Sequence, residues 1–183
     1  MIKQNLLVVT LFVYHSLIAQ QTQAHNPIIF ADVPDMSMIR VGDTYYMSST
    51  TMHMSPGVPI MSSKNLGNWK LVSYAYDTLV NNDDMNLENG KSTYGRGSWA
   101  SSIRYHNGTF YVSTFAATSG RTHIYTTKNI EKGPWKATSF RPSLHDHSLF
   151  FDDDGKVTSC VVDRYIFPFK ENPLEQLVAP WLR

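Results

Sequence analysis

The sequence predicts an all-β fold, and two observations within the chain predict the β-propeller class. A strand, a turn and a second strand recur at an offset of about 64 residues. Each copy is followed by a matched block that ends on a Lys-Asn pair and a tryptophan. Four-stranded units repeated along a chain are typical of propeller blades, where radial repetition limits exposed strand edges. A β-sandwich also has short strands, but we do not expect it to repeat side chains so closely.

The first hairpin of each unit is predicted from two matched stretches. Residues 37–49 read SMIRVGDTYYMSS, and residues 101–114 read SSIRYHNGTFYVST. With one turn residue inserted in the second copy, the matched pairs are Ser37 with Ser101, Ile39 with Ile103, Arg40 with Arg104 and Tyr46 with Tyr111. We place the turns at Gly42-Asp43 and Asn107-Gly108, since Asn-Gly between alternating apolar residues strongly favours a hairpin.

The outer half of each unit is predicted in the same way. Residues 58–70 read VPIMSSKNLGNWK, and residues 122–136 read THIYTTKNIEKGPWK. The matched pairs are Ile60 with Ile124, Ser63 with Thr127, Lys64 with Lys128 and Asn65 with Asn129. Trp69 and Trp135 end matched outer segments, so we interpret them as structural residues.

A third copy begins near residue 145. HDHSLF at 145–150 aligns with PDMSMI at 34–39, and DDDGK at 152–156 supplies its turn. Asp35 and Asp146 therefore share a position at the head of an innermost strand, where the alignment puts Trp99 in the second unit. Aspartate is an ordinary turn residue, but its recurrence here predicts the lining of a central pocket.

Charge and cysteine content exclude several classes of function. The formal net charge is +1, and the basic residues are scattered singly, so we expect no nucleic-acid partner. Cys160 is the only cysteine, which rules out a disulfide within the chain and a thiolate metal cluster.

The first 24 residues have the pattern of a secretory signal peptide. A lysine precedes an apolar run from Leu6 to Ala19, and Thr22-Gln23-Ala24 forms a small-residue cleavage site. We expect cleavage after Ala24 and a secreted or periplasmic protein with no membrane span. An uncleaved signal anchor is the alternative.

Four stretches in this order resemble glycoside hydrolase family 43. They are NPIIFADVPDMSMIRVGDTYYMSS, SPGVPIMSSKNLGNW, GSWASSIRYHNGTFYVS and SLHDHSLFFDDDGK, which lie between residues 26 and about 157. The resemblance implies a five-bladed β-propeller, of which residues 25–157 supply about two and a half blades. It also implies an inverting hydrolase of O-glycosyl bonds, of the xylosidase or arabinofuranosidase type, that acts on xylan- or arabinan-derived oligosaccharides.

The resemblance implies roles for individual residues. Asp35 is expected to be the general base, and Asp146 the carboxylate that orients the general acid and tunes its pKa. Trp99, Phe115 and His145 are candidate substrate-binding residues, with blade packing as the alternative for the two aromatic residues. His145 and His147 flank Asp146 and could bind substrate or metal, but a hydrogen-bonded loop role is the simpler interpretation.

No cofactor is expected, and the sequence gives no support for a metal or a structural cation. Asp32 has no counterpart in the other units and is interpreted as a turn residue.

The general acid of the family is a glutamate in a later blade, and we do not find it in this chain. Glu171 and Glu175 lie in a divergent tail, residues 158–183, to which the family role cannot be carried over. We expect a frameshift or a misread gene end there, and hence a truncated product of a longer gene. The alternative function is a non-catalytic propeller fragment or a sugar-binding remnant that lacks the acid.

Overall fold

The computed structural model describes residues 26–154, 156–160 and 166–169. The chain divides into two compact units, and every strand and helix described lies in the second, Ala31–Arg183. Three antiparallel sheets contain all the described elements except one helical turn, α1 (Asp83–Asn86). The predicted signal peptide at 1–24 and most of the tail at 158–183 lie outside the described residues. The prediction of an all-β fold is confirmed.

The first sheet is a four-stranded blade in which each strand pairs with the next along the chain. Its strands are β1 (Ser37–Val41), β2 (Thr44–Ser48), β3 (Gly57–Ser63) and β4 (Lys70–Tyr76). Gly42 begins the first turn with a φ of 61°, a left-handed conformation that costs glycine little. After β3, the Ser63 hydroxyl accepts the Leu66 N–H at 2.9 Å, and the Asn65 side chain accepts the Asn68 N–H at 2.9 Å. The repeated Lys-Asn pattern therefore marks a side-chain-capped turn.

The second sheet is a blade with the same connectivity. Its strands are β5 (Ser102–His106), β6 (Thr109–Ala116), β7 (Arg121–Thr127) and β8 (Lys136–Phe140). Asn107 and Gly108 have φ of 47° and 76°, as a type I′ hairpin turn requires. The Thr127 hydroxyl accepts the Asn129 N–H at 3.0 Å, which repeats the capped turn of the first blade.

The strand register corrects the predicted match of the two innermost hairpins. Both hairpins have two-residue turns, because Val41 pairs with Thr44 and His106 pairs with Thr109. The second turn has the same length as the first. Each residue of β1 therefore matches a residue of β5 one position later than the sequence predicted. The corrected pairs are Ser37 with Ser102, Met38 with Ile103, Ile39 with Arg104 and Arg40 with Tyr105. A shift of one residue moves every side chain to the opposite face of a strand.

The match between β3 and β7 is confirmed. Tyr46 lies opposite Ser62 in the first blade, and Tyr111 lies opposite Thr126 in the second. This register aligns Ile60 with Ile124, as the sequence analysis expected.

The third sheet contains three strands in the order β11-β10-β9. They are β9 (Ser148–Phe151), β10 (Val157–Cys160) and β11 (Ile166–Phe169). The predicted turn between β9 and β10 is confirmed by a hydrogen bond from the Asp152 N–H to the Lys156 carbonyl at 2.8 Å. Antiparallel pairing continues beyond residue 157, where the sequence analysis ended the family-like blades.

Two apolar clusters join successive blades. The first joins blades one and two and comprises Val58, Ile60, Ala75, Tyr76, Ile103, Phe110, Val112, Tyr125 and Ile130. The second joins blades two and three and comprises Tyr111, Ile124, Phe140, Leu144 and Leu149. Trp135 packs against the first cluster, in agreement with its predicted structural role.

Arg104 adds a polar link between the second blade and the third. Its Nε donates to the Leu149 carbonyl at 2.9 Å, and its Nη1 donates to the Ile103 carbonyl at 2.7 Å. Its Nη2 donates to the Ser148 hydroxyl. The corrected register explains this contact, because it turns Arg104 towards the third blade.

Candidate active site

The heads of β1 and β9 carry the two predicted catalytic carboxylates at residues with nearly the same φ. Asp35 and Asp146 each lie two residues before the first strand residue, Ser37 or Ser148. Their φ angles are 48° and 45°, in the left-handed region that few non-glycine residues adopt. The predicted equivalence of Asp35 and Asp146 is thus supported by backbone geometry as well as by position.

The second blade has a different residue at this position. When residues are counted back from the hairpin turns, Ala100 of the second blade occupies the position of Asp35, and Trp99 occupies the position of Pro34. In the third blade, His145 occupies that same position, one residue before Asp146. The prediction that placed Trp99 at the carboxylate position is therefore wrong, because it required an extra residue in the second turn. Trp99 and His145 are therefore equivalent residues of neighbouring blades.

The head of β1 is fixed by its neighbour in the first blade. The Pro34 carbonyl accepts the Ser49 hydroxyl at 2.6 Å and the Thr50 N–H at 3.3 Å. Asp35 itself is exposed. The backbone that carries this carboxylate is held in place while the side chain stays accessible to a ligand.

The head of β9 is held by the second blade. The Thr122 hydroxyl accepts the Leu144 N–H at 2.9 Å, and the Leu144 carbonyl accepts a hydrogen bond from His147 Nδ1 at 2.9 Å. Burial lowers the pKa of His147 to about 4, so the ring is neutral at pH 7. This contact agrees with the interpretation of His147 as a hydrogen-bonded loop residue.

His145 and Asp146 form an exposed pair beside the buried His147. His145 Nδ1 lies 3.3 Å from Asp146 Oδ2, and 57% and 45% of the two side chains are exposed. An exposed pair of this kind contributes little to stability. Its accessibility leaves both side chains free to contact a ligand.

The three predicted substrate-binding residues lie together. The ring centroids of Trp99 and His145 are 6.1 Å apart, and Phe115 lies 6.1 Å from Trp99 and 4.8 Å from His145. Phe115 is only 5% exposed, so it supports the two rings beside it and has little free face for a sugar. Trp99 is half-buried and His145 is exposed, which leaves these two as the accessible rings of the cluster.

Trp99 is fixed at three points. Its indole Nε1 donates to the Gly95 carbonyl at 3.0 Å, and its N–H donates to the Phe115 carbonyl at 2.9 Å. Its own carbonyl accepts the Thr114 hydroxyl at 2.8 Å. The ring is therefore held in one orientation before any ligand binds, which reduces the entropy cost of binding.

A row of serines behind the strand heads was missed by the sequence analysis. The hydroxyls of Ser102 and Ser148 lie 3.2 Å apart, and the Ser37 hydroxyl accepts the Ile103 N–H at 3.3 Å. The row connects the innermost strands of successive blades. The sequence pattern that could have predicted this row is a serine at the first residue of each of β1, β5 and β9. The incorrect register matched Ser37 with Ser101, and not with Ser102, so the pattern was missed.

Among the residues that the structure describes, no group of three His, Cys, Asp or Glu side chains could hold a metal ion. A cavity of about 310 Å³ beside the head of β1 is lined by Asp32, Pro34, Thr50 and His53 among others. A larger cavity of about 700 Å³ lies between the outer strands β4 and β8. We assign the candidate site to the strand heads, because the two carboxylates and the accessible rings lie there. Glu171 and Glu175 lie outside the described residues.

Comparisons with known proteins agree on one family. The profile of "Glycosyl hydrolases family 43" matches residues 24–159. A "Beta-xylosidase" of Formosa agariphila is 39% identical over 133 residues, which cover 70% of this chain and 22% of the relative. A "Non-reducing end alpha-L-arabinofuranosidase" of Bacteroides ovatus is 36% identical over 132 residues, which cover 71% of this chain and 24% of the relative.

Solved structures give the same result. A "Bifunctional GH43-CE" protein of Bacteroides eggerthii aligns with a TM-score of 0.77 and 63% identity, covering 84% of this chain and 21% of that one. The GH43 protein BlXynB of Bacillus licheniformis aligns with a TM-score of 0.67 and 30% identity, covering 81% of this chain and 31% of that one. The chain thus spans between a fifth and a third of the length of these relatives.

Proposed function

Because the chain belongs to glycosyl hydrolase family 43, we propose that it supplies the general-base side of an active site that hydrolyses xylan- or arabinan-derived oligosaccharides with inversion. One observation carries this proposal. Two exposed aspartates, Asp35 and Asp146, occupy equivalent strand heads, and the accessible rings of Trp99 and His145 immediately precede the heads of β5 and β9, where His145 lies against Asp146. The names of the relatives, a β-xylosidase and an α-L-arabinofuranosidase, support the two substrate classes.

In the proposed mechanism, Asp35 removes a proton from the water that attacks the anomeric carbon. An inverting glycosidase pairs this base with a protonated carboxylic acid on the other side of the glycosidic bond, which donates its proton to the leaving oxygen. Asp146 orients that acid and raises its pKa by like-charge repulsion. The family resemblance places that acid on a glutamate of a later blade, and no residue of this chain is assigned to it. Trp99 and His145 bind the sugar, and the reaction uses carboxylates and water without a cofactor.

The proposed setting is outside the cell or in the periplasm, where xylan and arabinan fragments are accessible. This setting depends on the predicted signal peptide. Among the described residues, no helix is long and apolar enough to cross a membrane.

Hydrolysis of nitrophenyl β-xyloside and nitrophenyl α-L-arabinofuranoside tests the proposal. The informative variant is Asp35→Asn, because asparagine also tolerates the left-handed backbone of this position. We expect it to lower turnover about 1,000-fold, within the range of general-base catalysis. Asp32→Asn is the matched control, since the same chemical change at a turn residue should leave turnover unchanged.

Two outcomes would contradict the hydrolase proposal. Equal activity of Asp35→Asn and wild type would exclude Asp35 as the base. An absence of hydrolysis even with these activated leaving groups, together with oligosaccharide binding that Trp99→Ala weakens, would favour the alternative of a sugar-binding remnant.

A further inference from the structure

The segment of residues 93–99 between α1 and β5 is attached to both neighbouring blades. Ser98 forms β-bridges with Thr51 of the first blade and Ala116 of the second. The Gly97 N–H donates to the Met52 carbonyl at 2.9 Å, and the Arg96 carbonyl accepts the N–H of residue 118 at 3.2 Å. These contacts hold the backbone of the segment from two sides.

Gly95 connects this segment both to Trp99 and to a second ring. Its carbonyl accepts the Trp99 indole N–H at 3.0 Å, and its N–H donates to His53 Nδ1 at 3.1 Å. The backbone of Gly95 thus fixes the orientation of a candidate sugar-binding ring and of a histidine from the first blade.

His53 in turn supports the ring of Tyr94. The two ring centroids are 4.4 Å apart, and the planes are nearly parallel at 12°. Tyr94 is 79% exposed, so the ring is open to solvent except where it stacks on the imidazole. A single exposed aromatic residue is unremarkable in a soluble protein. An exposed ring that is stacked on a hydrogen-bonded partner, next to a residue that anchors Trp99, is a prepared binding surface.

We propose that Tyr94, supported by His53, is a second sugar platform that contacts a more distant unit of the oligosaccharide bound at Trp99. Carbohydrates present apolar C–H faces that pack on aromatic rings, and pockets for such ligands combine aromatic faces with a few polar groups. The proposal depends on the proposed function, because it extends the same site to longer chains. Its consequence is that affinity increases with the length of the oligosaccharide.

The test compares short and long ligands by calorimetry with the full 183-residue chain. Xylobiose and xylohexaose form one arm, and the corresponding α-1,5-linked arabino-oligosaccharides form the other, so that the two polymers are distinguished. We expect Tyr94→Ala to weaken hexaose binding about fivefold, the effect of one lost aromatic contact, and to leave binding of the disaccharide unchanged.

Three further variants separate binding from structure. Tyr94→Phe keeps the ring and should retain wild-type affinity, whereas His53→Ala removes the support and should weaken hexaose binding in the same direction. Tyr105→Ala is the control, since it removes another partly exposed tyrosine ring outside the 93–99 segment. It should leave the ratio of hexaose to disaccharide affinity unchanged.

The outcomes distinguish this proposal from the function on which it rests. Binding that Trp99→Ala weakens but Tyr94→Ala leaves unchanged for both ligand lengths would overturn the second platform and leave the proposed function intact. An equal loss for disaccharide and hexaose in Tyr94→Ala would also overturn it. A wild-type chain that binds no oligosaccharide of either arm would overturn both proposals.

Discussion

Gly97→Ala should destabilise the fold through a clash with the backbone of Thr51 and Met52. A Cβ added at Gly97 would lie 2.8 Å from the Met52 carbonyl carbon and 2.8 Å from the Thr51 oxygen, whereas ordinary contacts begin at 3.4 Å. The backbones must therefore separate by about 0.6 Å, the difference between these two distances. Neither neighbour is a flexible side chain that could move aside.

The expected cost follows from three contributions. Overpacking of a tight site costs about 1–3 kcal/mol. The hydrogen bond from the Gly97 N–H to the Met52 carbonyl is 2.9 Å long in the wild type, and lengthening it removes about 1 kcal/mol of stability. Alanine at this position also lowers the conformational entropy of the unfolded chain, which restores about 0.4–1 kcal/mol of stability. We expect the free energy of unfolding to fall by about 1–3.6 kcal/mol in total.

Urea denaturation of the wild type and two variants measures this effect. Gly67→Ala is the matched control, because the nearest atom to its added Cβ is Asn65 Oδ1 at 3.8 Å, an ordinary contact. The control should unfold at the same urea concentration as wild type or slightly higher. Equal stability of Gly97→Ala and Gly67→Ala would show that the close backbone contact at residue 97 does not limit stability.

Two further predictions concern pH and the link between blades. Burial lowers the pKa of His123 and His147 to about 4, with the Arg121 charge contributing at His123, so the unfolded chain binds protons before the folded one. Their contribution to stability is complete above about pH 6.5 and is lost as the pH falls towards 4, by about 2 kcal/mol for each histidine at pH 5. Urea titrations at pH 7 and pH 5 should show this loss, and His147→Gln should reduce it. Arg104→Lys should increase amide hydrogen exchange in β9 and leave β4 unchanged, because lysine cannot make the forked contacts to Leu149 and Ser148; equal protection of β9 in both proteins would contradict this role.

The local features of the fold were predictable from the sequence because short-range chemistry determines them. Asn107-Gly108 adopts the two positive φ angles of a type I′ turn, a conformation that this residue pair favours. The Lys-Asn pattern after β3 and β7 recurs because the preceding Ser63 or Thr127 hydroxyl caps the same turn. The match of Asp35 with Asp146 was found from sequence alone, and their shared φ supports it.

The strand register and the side-chain contacts that depend on it were harder to predict from the sequence. Similar residues at adjacent positions, Ile39 with Ile103 and Arg40 with Arg104, produced an alignment that is wrong by one residue. The side chains favour that alignment, but pairing across the turn determines which face each residue occupies. As a result, the link from Arg104 to the third blade was not predicted.

Burial and long-range ring contacts were also hidden in the sequence. Phe115 is nearly inaccessible because Trp99 and His145 pack beside it, and nothing local to β6 indicates those neighbours. Tyr94 lies in a connecting segment without a repeat partner. Its stacking on His53 depends on a hydrogen bond between residues that are 42 positions apart.

The left-handed backbone at Asp35 and Asp146 also limits how the two positions can change during evolution. Glycine, asparagine and aspartate accept this conformation, whereas a β-branched or bulky residue is strained there. Most substitutions would therefore harm the fold and the chemistry together. Asparagine is the substitute that keeps both the backbone and the side-chain size while removing the charge. A relative with asparagine at either position would have kept the scaffold and lost the charge, so it would be a natural comparison for separating sugar binding from hydrolysis.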